Sequence, residues 1–337
     1  MPTPATVTWD ANALAFDCAR TAQQIEEFIR SSLSQELRRR GAVVAVSGGV
    51  DSAVCAALAV RAVGRERILG LLLPERESPA GDTVRGRALC EALGIEYRVE
   101  DITSMLAALG CYRRRDAAIR ELFPQFGAGW RCKIALAEAL MDRDRVSYFN
   151  LTVESPTGVR ERKRMPLPVY LGVVAATNMK QRTRKQLEYF HAESRNYAVI
   201  GTPNRLEYEL GFFVRGGDGL ADLKPIAHLY KAQVYALAHH LGVPDEIRNR
   251  PPETGTYSLP QTQSEFYFGL PMEQLDYLLY AFLHEVSAGQ AAAALALTED
   301  QVQRAYHDFE SKQRQADQLH RAPLLVEEVR KWTNDSA

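Results

Sequence analysis

The sequence has almost no net charge and no long uninterrupted apolar run, and each shortage excludes a class of protein. Lysine and arginine number 41 against 42 aspartate and glutamate, a formal net charge of −1, which argues against a dedicated nucleic-acid-binding protein. No apolar run approaches the roughly 20 residues of a membrane-spanning helix, and the N-terminus lacks a basic region followed by an apolar one. We therefore expect a cytoplasmic protein with neither a membrane nor nucleic acid as a partner.

Cysteine is also scarce, and the cysteines stand apart from one another. The five cysteines form no Cys-x-x-Cys motif. They are Cys18, Cys55, Cys90, Cys111 and Cys132. This distribution is typical of a reducing compartment and gives no zinc framework. With 337 residues, 46% of them hydrophobic, the chain is long enough to bury a substantial core as one large domain or two ordinary ones.

The most informative stretch of the sequence begins with an apolar run, Val43–Val46, that is followed directly by a polar turn. The turn consists of Ser47, Gly48, Gly49, Val50, Asp51 and Ser52. The run is typical of a strand buried on both faces of a parallel sheet, and residues 53–59 predict a helix. The turn then lies at a helix N-terminus, where unpaired N–H groups and the helix dipole favour a phosphate.

Each residue type in this turn suits an anion. Gly48 and Gly49 allow the backbone to approach a phosphate closely, and Ser47 and Ser52 add hydroxyl donors. Asp51 is a carboxylate, which belongs beside a phosphate mainly when a divalent cation lies between them. The alternative interpretation is a plain strand-to-helix turn capped by Ser52.

Strands and helices alternate over much of the chain. Further strands are predicted at residues 68–74, 96–102 and 197–200, and helices at 12–39, 82–93, 168–193 and 229–241. Such alternation predicts an α/β fold with a doubly wound, mainly parallel sheet and helices on both faces, whose ligands bind at the carboxyl ends of the strands.

Other stretches are less regular. Residues 104–165 are mostly helical in pattern, with one strand of their own predicted at 145–153. The basic runs 113–115 and 160–164 are either solvated surfaces or a binding surface for a polyanionic substrate. A stretch rich in proline, threonine and glutamine, 251–264, is typical of a mobile loop. We expect one α/β domain over residues 1–270, with a mostly helical insertion at 104–165, and a helical C-terminal extension over 271–337.

A second group of polar residues lies further along the chain. Polar residues recur here at every second position: Asn178, Lys180, Arg182 and Arg184. In one interpretation, the cationic side chains among them converge on phosphates from the end of a helix or strand. They are followed by Gly201-Thr202-Pro203-Asn204, Glu207, Gly211-Phe212-Phe213, Gly217-Asp218-Gly219, Asp222 and Leu229-Tyr230-Lys231.

Taken in this order, the motifs resemble the ammonia-dependent NAD synthetase family. The turn at 47–52 resembles the pyrophosphate-binding loop of N-type ATP pyrophosphatases, and it is not a Walker loop because no Gly-Lys-Ser/Thr follows. The resemblance covers about residues 12–250 and continues more weakly to 309–314 and Pro323. It implies an adenine nucleotide alpha hydrolase-like fold.

The resemblance also implies roles for individual residues. The turn would hold the ATP triphosphate, Asp51 and Glu207 would bind Mg²⁺, and Thr202 and Lys231 would contact phosphates. Asp218 would line the ammonia site and take a proton from ammonium, so that Asp51, Asp218 and Lys231 are the expected catalytic residues. Asn178, Arg182 and Arg184 match positions that hold the dinucleotide substrate. The family is a homodimer with the substrate site at the subunit interface.

The expected reaction is adenylation of the deamido-NAD carboxylate by ATP, followed by attack of ammonia to give NAD, AMP and pyrophosphate. Residues 252–257 and 264–269 depart from the family pattern, which leaves open an amide ligase acting on another carboxylic acid. A non-catalytic nucleotide-binding module and a tRNA-modifying or thiolating enzyme are further alternatives. Because the stretch before Val43 is too short for a glutaminase, ammonia is expected to come free or from a separate glutaminase.

Overall fold

The strand, turn and helix predicted at residues 43–59 form the middle of a parallel sheet. The computed structural model describes residues 13–136, 148–251, 255–327 and 329. Its strands are β1 (Ala42–Ala45), β2 (Ile68–Leu72), β3 (Glu96–Val99), β4 (Arg131–Leu136), β5 (Phe149–Glu154), β6 (Arg160–Arg164) and β7 (Ala198–Ile200).

The helices surround this sheet and extend beyond it at both ends of the chain. They are α1 (Cys18–Ser31), α2 (Val50–Val63), α3 (Ala80–Leu93), α4 (Thr103–Ala108), α5 (Cys111–Arg120), α6 (Leu167–Arg195), α7 (Arg205–Leu210), α8 (Lys231–His240), α9 (Asp245–Arg248), α10 (Met272–Leu283), α11 (Ala288–Leu295) and α12 (Glu299–His320). Short π-helical turns occupy Ser32–Glu36 and Ser264–Phe268. No helix of the described residues is long and apolar enough to cross a membrane.

The main sheet has the strand order β3-β2-β1-β7, and all of its pairs are parallel. Neighbouring side chains of a strand point to opposite faces, so Val44 packs with α1, α2 and α8, whereas Val43 packs with α4, α5 and α6. The order reverses between β1 and β7, and in such sheets ligands bind in the crevice at this point. The predicted doubly wound α/β fold is confirmed.

The structure corrects the helical prediction for residues 104–165. Helix α4 ends at Ala108 and α5 at Arg120, and an antiparallel sheet of order β4-β5-β6 follows. Its apolar side chains Cys132, Ile134, Leu151 and Val153 are buried at alternate positions, which is the period of a strand rather than a helix. The predicted strand at 145–153 is present as β5, although residues 145–147 lie outside the described part of the chain.

The two basic runs differ in their surroundings. Arg115, in the first, is buried at 3% exposure and pairs with Glu77 and Asp116. The second forms β6, which carries charged residues only and is a strand because its backbone pairs with β5. Since β6 has no apolar pattern, its side chains give no indication of strand structure.

The C-terminal helices share a core with the α/β part of the chain. Leu206 and Leu210 of α7 pack with Leu275 and Leu279 of α10 and with Phe309 of α12. The division of the chain at residue 270 stays a prediction, and the shared core shows that the two parts are in contact.

A buried ion network joins α6 to the loop after β2. Lys180, only 1% exposed, donates to Glu75 and Glu77, both at 2.8 Å. Arg115 contacts Glu77 at 2.5 Å, and the Tyr112 hydroxyl donates to Glu75 at 2.7 Å. Burial by itself would raise the pKa of Glu77, but Lys180 and Arg115 outweigh it and lower the pKa to about 2.

We expect Glu77→Gln to lower the free energy of unfolding at pH 7 by up to about 3 kcal/mol, because the carboxyl is held ionised in the folded state far below its usual pKa. This stabilisation is present above the unfolded pKa and disappears as the pH falls through the folded one. Urea unfolding should therefore show a smaller difference in unfolding free energy between wild type and variant near pH 3 than at pH 7. Glu96→Gln, which removes an exposed partner of Arg195, should cost under about 1 kcal/mol.

Candidate active site

A cavity of about 550 Å³ lies at the carboxyl ends of the parallel strands, where the order reverses between β1 and β7. It extends from the turn after β1 to the middle of α6. The sequence-predicted site residues that line it are Ser47, Gly49, Val50, Asp51, Ser52, Asn178, Arg184, Thr202, Glu207, Asp218 and Lys231. Gly48 and Arg182 do not belong to its wall.

The turn after β1 is stabilised by hydrogen bonds of its own serines. Ser52 Oγ accepts from the Ser47 backbone N–H at 3.3 Å and donates to the Gly49 carbonyl at 3.0 Å. Helix α2 begins at Val50, and no side chain of the described residues caps it. The first N–H groups of α2 therefore face the cavity as a site for an anion.

Gly48 supports this turn from outside the cavity. Its φ is +80°, and an added Cβ would lie 2.6 Å from the carbonyl oxygen of Asp82 at the start of α3. Both the left-handed conformation and this close approach require glycine.

Asp51 is the centre of a polar cluster that three loops bring together. Its Oδ2 lies 2.5 Å from Lys231 Nζ, and its Oδ1 accepts from Asn204 Nδ2 at 3.1 Å. Asn204 caps α7, and the carboxylate of Glu207 accepts from the Asn204 backbone N–H at 3.2 Å. Gln263 Nε2 donates to the other oxygen of Glu207 at 3.1 Å.

The cluster is short of positive charge. Burial, and after it the charge of Asp51, raises the pKa of Glu207 to about 8. Burial acts against the ammonium of Lys231, but Asp51 and Glu207 outweigh it and raise its pKa. Two carboxylates facing one lysine are a donor set that suits a divalent cation.

A cation at this position would need further ligands. No group of three or more His, Cys, Asp or Glu side chains with metal-binding geometry occurs within the described residues. Mg²⁺ is commonly bound by one or two carboxylates together with phosphate oxygens and water. Asp51 and Glu207 therefore fit a cation that arrives with a phosphorylated ligand.

Asp276, on α10, fixes the helix that carries Lys231. Its carboxylate accepts from the backbone N–H of Lys231 at 3.0 Å and of Ala232 at 2.6 Å. The side chain is 2% exposed, and burial raises its pKa to about 6. The first turn of α8 is thus held by a carboxylate from the C-terminal helices.

Asp218 lies on a second polar part of the wall. Its Oδ1 accepts from the Val214 N–H at 2.8 Å, and burial raises its pKa. The neighbouring ion pair Lys185–Glu188, at 2.5 Å, is buried on α6. Burial and the charge of Asp218 are among the causes that raise the pKa of Glu188.

The basic residues at every second position lie in the middle of α6 rather than at its end. Lys180 and Arg184, one turn apart, face the protein, where Arg184 Nε donates to the Leu73 carbonyl at 3.0 Å. Asn178 and Arg182 share another face. Arg182 is exposed and donates to the Arg215 carbonyl at 3.2 Å, so the chain by itself does not bring it to the cavity.

Three residues of this site were not among those predicted from the sequence. Asn204 ends the quoted Gly-Thr-Pro-Asn loop and has the spacing to Glu207 of a capping box, a signal that was available. Gln263 and Asp276 stand in stretches that have no motif, and only the folded chain brings them to the site.

An α/β protein that gathers such groups around a phosphate-cradling turn belongs to the class that binds nucleotides and acts on their phosphates. The particular family follows from comparison. A family model described as NAD synthase matches residues 21–123 and 132–316. The chain belongs to the NAD synthase family.

Relatives support this assignment over almost the whole length. The NH(3)-dependent NAD(+) synthetase of Rhizobium rhizogenes is 50% identical over 319 residues, covering 95% of this chain and 96% of the relative. That of Thermotoga maritima is 37% identical over 257 residues, 76% of this chain and 85% of the relative.

Solved structures share the fold at low sequence identity. An NMN synthetase from Francisella tularensis has a TM-score of 0.64 at 22% identity, covering 93% of this chain and 100% of that one. An NH3-dependent NAD synthetase from Campylobacter jejuni has a TM-score of 0.60 at 20% identity, with the same coverage.

Proposed function

We propose that the protein is an ATP-dependent amide ligase that adenylates the carboxylate of deamido-NAD and transfers ammonia to it, giving NAD, AMP and pyrophosphate. The observation that carries the proposal is the contact of Asp51 with Lys231 and Asn204, beside Glu207, directly behind the phosphate-cradling turn. The choice of ATP, ammonia and deamido-NAD as substrates is supported by the extensive identity to NH(3)-dependent NAD(+) synthetases.

In the first step the substrate carboxylate attacks the α-phosphorus of ATP and pyrophosphate leaves. The N–H groups at the start of α2 hold the triphosphate, and Lys231 neutralises charge on the leaving phosphates. Asp51 and Glu207 would hold Mg²⁺, which supplies additional positive charge to the phosphates when it is bound. The turn fixes the orientation of the phosphates by backbone donors, which need no rearrangement during the reaction.

In the second step ammonia attacks the acyl adenylate and AMP leaves. Ammonium must lose a proton before it can act as a nucleophile. Asp218 lies on the cavity wall, and burial raises its pKa toward the range in which a carboxylate takes up a proton. We assign it the binding of ammonium and the acceptance of that proton, while Asn178 and Arg184 contact the dinucleotide.

The direct test is incubation of the purified protein with Mg-ATP, an ammonium salt and deamido-NAD. We expect NAD and AMP in equal amounts, with none of either when ammonium or deamido-NAD is left out. AMP release only with a different carboxylic acid would instead indicate an amide ligase of another pathway.

Asp51→Ala should reduce AMP formation by about 10³-fold, because it removes a cation ligand and the partner of Lys231 at the reacting phosphates. Circular dichroism and thermal unfolding should show an intact fold. Asp300→Ala, on the exposed first turn of α12, should leave the rate unchanged. A near-normal rate for Asp51→Ala would remove Asp51 from the proposed role.

Asp276→Asn should raise the KM for ATP about tenfold, since an amide offers one acceptor where the carboxylate serves two backbone donors at the Lys231 end of α8. The KM for ammonium should change little. Glu26→Gln is the control, because Glu26 is a mostly buried carboxylate that pairs with Arg61 at the far end of α2 from Asp51. Equal effects of the two variants would contradict a specific role for Asp276.

We also propose a homodimer formed through α6. The exposed side chains Leu167 and Leu171, one turn apart, continue along one face of α6 to Asn178 and Arg182. Asn178 also lines the cavity, so the cavity opens toward this face. A second copy packed on the face would cover the leucines and place Arg182 beside the substrate site.

Leu171→Asp should convert the dimer to a monomer, measured by sedimentation velocity, because a carboxylate cannot be buried unpaired in an apolar contact. Val159→Asp, at the equally exposed turn before β6, should leave the dimer intact. Arg182→Ala should raise the KM for deamido-NAD more than that for ATP. The opposite order would assign Arg182 to the nucleotide triphosphate.

The cytoplasm is the compartment that we propose for this reaction. All of the cysteines are free in the structure, and Cys55, Cys90, Cys111 and Cys132 are buried, as expected where disulfides do not form. A separate glutaminase is a possible source of ammonia in the cell, besides free ammonium.

A further inference from the structure

The cavity has a wall made by a segment with no α-helix or strand. This wall segment, residues 255–268, ends in the π-helical turn Ser264–Phe268. Its side chains Tyr257, Gln263, Phe266 and Tyr267 line the cavity. Its composition alone is typical of a mobile loop, and a segment of this kind needs partners elsewhere for its backbone polar groups.

The open edge of β4 supplies many of those partners. The Leu259 N–H donates to the Cys132 carbonyl at 3.1 Å, and the Cys132 N–H donates to Ser258 Oγ at 2.9 Å. The Gln261 amide donates to the carbonyl of Ile134. An edge strand presents its backbone groups outward at every second residue, and Cys132 and Ile134 are such a pair.

Lys133 adds side-chain contacts between the same two elements. Its Nζ lies 2.6 Å from a carboxylate oxygen of Glu265 and 3.4 Å from the Pro260 carbonyl. At the start of the wall segment, Lys180 donates to the Thr256 carbonyl at 2.9 Å. The segment is thereby attached at both ends and along its middle.

Apolar packing reinforces these bonds. Tyr257 is 4% exposed and belongs to one buried cluster with Cys132, Ile134, Leu151 and Val153. The Phe266 ring lies 5.6 Å from that of Tyr257. The wall segment and the sheet β4-β5-β6 therefore share a core.

The wall segment reaches both parts of the proposed site. Gln263 contacts Glu207, and Phe266 packs edge-to-face on Phe212 at 5.9 Å, in the stretch that leads to Asp218. Tyr257 and Thr177, which precedes Asn178 on α6, both line the cavity. Tyr257 and Phe266 thus lie beside α6 and the stretch that leads to Asp218, whereas Gln263 contacts the cluster around Asp51 through Glu207.

We propose that the sheet β4-β5-β6 holds the wall segment as a preformed surface for the deamido-NAD half of the reaction, with Lys133 and Ser258 as positioning residues. The inference rests on the proposed function for the identity of the substrate, but the attachment itself does not. It joins the sheet β4-β5-β6 and the described residues of the two stretches that depart from the family pattern, 255–257 and 264–268, into one feature.

The test uses full-length Lys133→Met/Ser258→Ala, which removes the side-chain contacts and keeps the apolar stem of the lysine. We expect backbone hydrogen exchange of residues 255–268 to become about fivefold faster, corresponding to loss of roughly one ion pair. The KM for deamido-NAD should rise about fivefold while that for ATP stays within about twofold.

Lys163→Met is the matched control, because Lys163 lies on β6 of the same sheet and donates to the Leu122 carbonyl at 3.0 Å, away from the wall segment. This variant should change neither the hydrogen exchange of residues 255–268 nor the KM for deamido-NAD or ATP. The charge-reversed pair Lys133→Glu/Glu265→Lys should restore exchange and the KM for deamido-NAD to near wild-type values.

Unchanged exchange in the double variant, an equal effect of Lys163→Met, or an equal rise of both KM values would overturn the proposal. Hydrogen exchange needs no substrate, so it reports on the attachment even if the wild-type protein were to make no NAD. Failure of the proposed function would appear as absent turnover in wild type, whereas failure of this inference would appear as normal exchange in the variant.

Discussion

The contact between Asp51 and Lys231 is the constraint on which the site depends. Two opposite charges in a mostly buried position are stable only when they stay in hydrogen-bonding geometry, because neither can be left unpaired there. The second residue of α2 and the first of α8 are therefore fixed relative to each other. The parallel sheet places α2, and the carboxylate of Asp276 places α8, so distant parts of the chain meet at one ion pair.

The electrostatics around this pair suit a particular kind of ligand. Glu207 adds a second carboxylate, and burial together with Asp51 raises its pKa to about 8. Such a cluster gains from additional positive charge, while the N-terminus of α2 beside it favours negative charge. A phosphate chain that arrives with a divalent cation satisfies both requirements at once, which agrees with membership of the NAD synthase family.

The part of the cavity beside α6 has a different lining from the part beside the turn after β1. Near the turn after β1, backbone groups and short polar side chains form the surface, as a common phosphate ligand requires. Toward α6 the wall is aromatic and is formed in part by residues 255–268, which contact the edge of β4.

Much of the fold was predictable from the chain because its signals are local. The apolar run at Val43–Val46, the glycines after it and the alternation with helices each reflect neighbours in sequence, and they predict the parallel sheet and its ligand edge. The motif residues Asp51, Glu207 and Lys231 were predicted to act together, and the folded chain brings them together. Their roles in the reaction remain proposals.

The features that the sequence did not predict have a common cause. Strand β6 contains only charged residues, and its structure comes from pairing with β5, to which its own side chains contribute no pattern. The composition of the stretch 251–264 gives no sign of the bonds that its Ser258, Leu259 and Gln261 make to the edge of β4. Nothing local marks Asp276, whose partners lie 45 and 44 positions away in the chain.

The sequence by itself determined the α/β fold, the position of the turn between β1 and α2, and the family, because backbone conformation and burial patterns are set largely by nearby residues. Only the tertiary structure decided which face of α6 each polar residue occupies, which carboxylate holds α8 and what supports the cavity wall. Those features are contacts between residues far apart in the chain, and a contact exists only once the elements that carry its two partners have packed together.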